Sequence, residues 1–290
     1  MQCRKPIVAG QFYPEDKDDC LAEIKACIEE GAFSGQLPQD IVAGIVPHAG
    51  WFFSGQVAAM VFSAIKKQNG SVDTFVIFGA AHSYLNAKPI IYDKGCWESP
   101  LGQILIDEQL AELFLKTGLA EADPVAHRAE HSIEVQVPFI QYLLPEAKLV
   151  PIIVPPAREA VGFGEAVGEI IGSQKHKIVC IGSTDLTHYG PRYGFTPMGV
   201  GSRAIEWADN VNDKQFIDLA IALEPEKLLV NAAKNSNACG PGAAAAAVAV
   251  AKKLGRKEGI LLTHTNSSEI MLEKMNRASS ESVGYAAIVF

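Results

Sequence analysis

Apolar positions along this chain follow two rhythms that alternate. "VAAMVFSAI" places Val57, Met60, Val61, Ala64 and Ile65 at i, i+3, i+4, i+7 and i+8, the stripe of a helix lying on a core. "DTFVIFGAAHS" is an unbroken apolar run up to Gly79, the mark of a strand buried on both faces. "LVPIIVPP", "KIVCIGSTD", "EGILLTHTN" and the C-terminal "VGYAAIVF" have the same character. Between these runs the pattern predicts helices over residues 15–30, 107–117, 132–144, 157–172, 201–221 and 242–254. The first has acidic residues early and Gly31 just past its end, as capping requires, and puts Cys20, Ile24, Cys27 and Ile28 on its apolar face. Strands alternating with helices imply an α/β fold, a mostly parallel central sheet with helices on both faces. "KPIIYDKGCWESPLGQILID" breaks the rhythm and reads as a hairpin insertion. No repeat, low-complexity tract or long linker interrupts the pattern, so residues 1–290 are expected to form one domain.

In open α/β sheets, ligands bind outside the carboxyl ends of the strands. "GIVPHAGWFFSG" shows a buried strand running straight into His48, two glycines and an aromatic pair. The predicted strand at 74–79 is followed by Ala80-Ala81-His82, and the one at 177–182 by Ser183-Thr184-Asp185-Leu186-Thr187-His188. His264 follows the strand expected at 259–263, so four of the seven histidines stand just past strand ends. A lone case such as His264 reads as a loop histidine bonded to the backbone. His48, His82 and His188 recur in glycine-bearing turns and read as a shared site, because glycine lets backbone and ligand approach closely.

Cys239 adds to this set. It stands before a glycine-proline-glycine turn and an alanine-rich helix, where the helix N-terminus favours a thiolate. Two imidazoles and one thiolate leave metal positions open to water or substrate, the pattern of a working site rather than a closed structural one. That donor set suits iron(II), zinc or copper. Asp185 and His188, three apart, suit a place behind the ligands, orienting one or moving a proton. "HRAEHSIEVQVPF" matches the H-x-x-E-H zinc-protease pattern. With Pro124 upstream and Ser132 placed to cap a helix, His131 would stand at the helix start and His127 in the loop before it. The two would not share a face, so the protease reading is set aside and Glu130 or His131 is expected to line the same pocket. Trp51, Phe52, Tyr189 and Tyr193 are candidates for its aromatic walls.

Composition narrows the function classes. Hydrophobic residues make up 48% and charged residues 20%, enough for a sizeable core and against disorder. A net charge of −8 argues against nucleic acid and anionic membranes as partners. No signal-peptide pattern opens the chain, and no apolar stretch has the length of a membrane span. The six cysteines show no C-x-x-C pair, so reduced thiols in a cytoplasm are expected.

"RKPIVAGQFYP", "VPHAGWFFSG", "GAAHS", "EHSIEVQVPF", "STDLTHYGPRYG" and "NACGPG" are similar, in order, to motifs of the Memo family, whose prokaryotic members are called AmmeMemoRadiSam system protein B. The resemblance implies a fold related to the class III extradiol non-haem iron dioxygenases. It also implies a metal site of His48, His82 and Cys239, with Asp185 and His188 as the family's D-x-x-H pair; their convergence rests on the resemblance alone. One departure is Ala80, where the family usually has proline after the glycine, and a looser turn around His82 is expected. The cysteine replaces the carboxylate ligand of the dioxygenases, so ring cleavage is not carried over from the fold.

The leading expectation is a metal-dependent redox protein with iron(II) first and copper or zinc open, a substrate of unknown identity, and Asp185, His188 and His131 as proton-handling groups. A second reading makes Cys239 the nucleophile of a thiol amidase or hydrolase with His188 as its base. A third, drawn from eukaryotic relatives, is a degenerate enzyme that binds peptides, for which Arg192 is the obvious cation near the motifs. Family naming further implies radical-SAM and AMMECR1-like partner proteins.

Overall fold

Buried β-branched runs and alanine-rich stretches set the architecture of the computed structural model, which describes residues 3–290 apart from 32, 34 and 84–86. In chain order the elements begin with β1 (Cys3–Arg4), α1 (Lys17–Glu30), β2 (Ala43–Val46), α2 (Trp51–Asn69), β3 (Thr74–Gly79) and β4 (Ile90–Ile91). They continue with β5 (Cys96–Ser99), β6 (Gly102–Leu105), α3 (Glu108–Leu115), β7 (Glu121–Ala122), α4 (Val137–Leu143) and β8 (Lys148–Ile153). Next come α5 (Glu159–Gly172), β9 (Ile178–Ser183), β10 (His188–Tyr189), α6 (Ser202–Trp207) and α7 (Lys214–Ile221). The chain finishes with α8 (Pro225–Asn235), α9 (Pro241–Lys253), β11 (Ile260–Asn266), α10 (Ser267–Met275) and β12 (Ser282–Val289).

The predicted α/β fold is present, but its main sheet, of nine strands among the described residues, is mixed. A parallel centre, β2-β9-β3-β8, carries antiparallel neighbours on each side: β12, with β10 and β11 paired to it, and β4, which carries β7. The C-terminal strand therefore runs against the centre. The chain leaves β11 at Asn266 and is back beside it at Gly284, so α10 reverses it at one end of the sheet instead of crossing a face. "CWESPLGQIL" forms the expected hairpin, β5 and β6, in a separate three-stranded sheet with β1. There Cys3 and Cys96 are register partners and are joined as a disulfide, so the expectation that all six cysteines are free thiols fails for this pair.

One sheet face packs on α1, α2 and α4, and the stripe read from α2 is buried there as predicted. The other face packs on α9, backed by α5 and flanked by α8. Residues Pro241 to Ala251 of α9 are all buried, which is why its sequence is small and apolar on every side. Two predicted helices are reshaped. The one expected at 132–144 starts as a 3₁₀ turn (Glu134–Gln136) and becomes α-helical only from Val137, with Pro138 in its first turn, where a missing N–H costs nothing. The one expected at 201–221 is divided by a π-helical turn at Ala208–Asp213, from which the Asp213 carboxylate reaches Thr187 and His264. No helix among the described residues is long and apolar enough to cross a membrane.

Candidate metal centre

Register decides where the site forms. Val46 pairs with Ser183, Phe78 with Gly182 and Gly79 with Ile153, so the turns after β2, β3 and β9 open side by side at the carboxyl edge. His48 lies two residues past β2 and is 2% exposed. Its backbone N–H donates to Asp185 Oδ1 at 2.7 Å. Its Nδ1 lies 3.1 Å from Ser183 Oγ, and that hydroxyl gives its own proton to Ser132 O at 2.8 Å. Ser183 must therefore accept from His48 Nδ1–H, which leaves Nε2 unprotonated. Nε2 stands 3.1 Å from Cys239 Sγ.

His82 is held by Glu130. The carboxylate accepts the His82 backbone N–H at 3.2 Å and lies 3.1 Å from Nδ1 through both oxygens. An ionised carboxylate can only accept, so Nδ1 keeps its hydrogen and Nε2 is the free donor. The turn before it is not loose: the Ala80 N–H donates to Ser132 Oγ at 2.9 Å, a bond proline could not make. Ser132 is thus spent on this turn rather than capping a helix, as the sequence had implied. Gly79 is needed here because a Cβ would sit 2.5 Å from Ile133 Cγ1.

Cys239 reaches the same point from the far side of β9. Its N–H donates to Asp185 O at 3.2 Å, its Sγ accepts the Asp185 N–H at 3.3 Å, and Gly240 N–H donates to Thr184 Oγ1 at 2.9 Å. A Cβ on Gly240 would meet Ser183 O at 2.6 Å, so only glycine allows this approach. One donor atom from each of His48, His82 and Cys239 lies within 4.8 Å of the others. The residues fit a metal ion: two imidazoles and a sulfur converge, each braced from behind.

His131 stands in the loop before the 3₁₀ turn, its ring stacked on His82 at 4.8 Å and edge-on to His48 at 5.4 Å. Asp185 backs His48, while its Oδ2 lies 4.0 Å from His188 Nε2, too far for a hydrogen bond. His188 itself belongs to β10, with its ring 5.1 Å from Tyr193. A cleft of about 500 Å³ opens over the group, lined also by Phe12, Phe53, Arg192 and Tyr193.

Burial dominates the titration of these groups. It lowers the His48 pKa to about 4, outweighing the opposing charge of Asp185. It lowers His131 and His188 as well. For His82 burial works the same way, but the hydrogen bond and charge of Glu130 win and raise the pKa. Glu130 resists its own burial through His82 and Ser132 and falls to about 2. Burial, aided by the Asp185 charge, pushes the Cys239 thiol well up.

Other expectations are corrected. Trp51, Phe52 and Tyr189 are not among the cleft residues. Trp51 is core, its indole N–H donating to Val135 O, and Tyr189 is buried with its hydroxyl donating to Gly199 O. Phe52 lies on the outside under Lys274. His264 sits inside β11, not past its end, and bonds to Asp213 at 3.1 Å. His127 turns into the core against Tyr92 and Trp97, away from His131, which disposes of the protease geometry. The sequence reading passed over a buried clamp: Arg4 bonds Glu134 at 2.7 Å, His127 O and Glu130 O. Glu134 also accepts from Ile7, Val8 and Tyr13. Arg4 and Glu134, opposite charges inside the first and fourth of the family-like motifs, were the signal for it.

The family profile for "Memo-like protein" matches residues 4–289. Curated relatives called MEMO1 family proteins match end to end. One from Thermococcus onnurineus is 37% identical, with 99% of each chain covered. One from Methanopyrus kandleri is 35% identical, covering 99% of this chain and 98% of its own. Another from Methanosarcina mazei is 34% identical, covering 100% of this chain and 99% of its own.

Proposed function

The chain belongs to the Memo family, and from that premise and the geometry at the strand ends we propose that it is a metal-dependent redox protein. His48, His82 and Cys239 hold the ion, with iron(II) the first candidate and copper or zinc the alternatives. The observation that carries this reading is the convergence of one ring nitrogen from each of His48 and His82 with the Cys239 sulfur, all within 4.8 Å of one another. A redox-active ion there would exchange electrons with a substrate bound in the adjoining cleft. Glu130 and Ser183 fix the tautomers of the two imidazoles, and Asp185 fixes the backbone of both His48 and Cys239. His188 and His131, both held neutral by burial, are placed to accept a proton from substrate.

The thiol-hydrolase alternative is less well supported, because burial and Asp185 keep the Cys239 proton on. A bound cation would reverse that, and it makes affinity fall in acid, since metal and proton compete for the same sulfur. Titration of metal-free protein with cobalt(II) tests the assignment. A thiolate-to-metal absorption band should saturate at one equivalent in the wild type and vanish in Cys239→Ser. Absence of the band in folded wild-type protein would sink the proposal.

A further inference from the structure

Two clefts meet at this site. The one over His48 and His82 also carries Asp185, Arg192 and Glu281. A second, of about 570 Å³, lies beyond His188 and Tyr193, which line both. Its walls are Leu229 and Ala232 on α8, Pro241 at the start of α9, Pro156 after β8, and Leu186 and Phe195. Among the described residues, no Asp, Glu, Lys or Arg lines it. Cys239 does, so this cleft without a charged side chain among the described residues ends on a ligand of the proposed metal.

The contrast in charge selects what each cleft holds. A charged group entering the second cleft would meet no Asp, Glu, Lys or Arg side chain among the described residues, whereas an apolar group gains by leaving water. On α8, Leu229, Ala232 and Ala233 fall at i, i+3 and i+4, so short side chains from one helix face leave a groove rather than a filled seam. Its volume is in the range of pockets that hold small organic molecules.

We propose that the substrate of this site carries an uncharged apolar group, a ring system or branched chain, that lodges between α8, the start of α9 and Phe195 with its inner end against Cys239 and His188. The proposal rests on the reading of His48, His82 and Cys239 as the working centre. The remainder of such a substrate extends past His188 into the first cleft, where the charged side chains Arg192 and Glu281 are available to it.

Calorimetric binding of 2-naphthol, and of naphthalene-2-sulfonate as its anionic analogue, tests this. The neutral probe should bind the wild type, and the sulfonate should bind at least about tenfold more weakly because the cleft offers no charge partner. Ala232→Leu, which fills the cleft, should weaken 2-naphthol about tenfold, while Val230→Ala, exposed on the same helix and outside both clefts, should leave it within about twofold. Should Ala232→Leu fail to fold by circular dichroism, Ala233→Trp at the exposed rim serves in its place. No binding of 2-naphthol, equal binding of the sulfonate, or an equal loss of affinity in Val230→Ala would overturn the proposal. Cobalt(II) titration of the same samples keeps the two readings apart. Cobalt binding without naphthol binding strikes only the cleft proposal, and naphthol binding without cobalt binding strikes only the metal assignment.

Discussion

Glu130 is the residue on which the geometry of His82 depends. It is buried, it grips both the backbone and Nδ1 of that histidine, and its own backbone carbonyl is held by Arg4. Carboxylates behind metal-bound histidines fix the ring and raise its basicity, so Glu130→Gln should lower metal affinity about 10- to 100-fold. Competition against a chelator of known affinity measures this, and an unchanged affinity would contradict the role. A second prediction concerns His127, which is buried and plays no part in the cluster. Burial lowers its pKa from 6.5 to about 3. The unfolded chain therefore takes up a proton as pH falls through 6.5, while the folded chain resists until about 3. Stability is whole above that window, falls with pH inside it and levels off below it. The slope from one such group approaches about 1.4 kcal/mol per pH unit. His127→Phe, which keeps an aromatic against Tyr92 and Trp97, should remove that share of the slope in denaturant unfolding between pH 6 and 4, a window set by the linkage relation at roughly these values. An unaltered slope would contradict the assignment.

At the scale of elements, α9 carries the site into place, since Cys239 and Gly240 immediately precede it. Its packing on α5 and β9 is close: a Cβ on Gly164 would lie 2.6 Å from Ala246 O, and one on Gly182 would lie 2.8 Å from Ala243 O. Alanine is the better helix former, so propensity alone predicts that Gly164→Ala stabilises. Contact with a backbone carbonyl reverses the sign, and a loss of about 1–3 kcal/mol in denaturant unfolding is expected. A gain in stability would show that α5 and α9 can separate freely. The sequence disclosed α2, α5 and α9 because their burial patterns are strong, and disclosed the turns after β2, β3 and β9 because glycine and histidine punctuate apolar runs. It did not disclose α8 or α10. In α10 only Ile270 is buried, so no apolar stripe marks it. In α8 the helix ends on Ser236 in the left-handed conformation, without the glycine that usually signals a stop. Strand direction was equally hidden, because a strand buried on both faces has the same composition whichever way it runs. The His82–Glu130 and Arg4–Glu134 pairs lie 48 and 130 residues apart in sequence, and only the folded chain brings them together.

For the whole molecule, the proposed centre draws on several elements: the turns after β2, β3 and β9 and the start of α9 would each contribute a ligand or a brace. An ion bound there stabilises the native state alone, by about 2.7 kcal/mol when its free concentration is 100 times the dissociation constant. Thermal unfolding should rise by several degrees on adding metal to the wild type and should not move in Cys239→Ser; equal shifts in both would place the binding elsewhere. The most direct test is the metal content of protein purified without oxygen, read by mass spectrometry for wild type and Cys239→Ser together. The account predicts close to one transition-metal ion per wild-type chain, iron foremost, and a near-complete loss in the variant. Folded wild-type protein that carries no such metal and takes none up, or a variant that keeps its full complement, would contradict it.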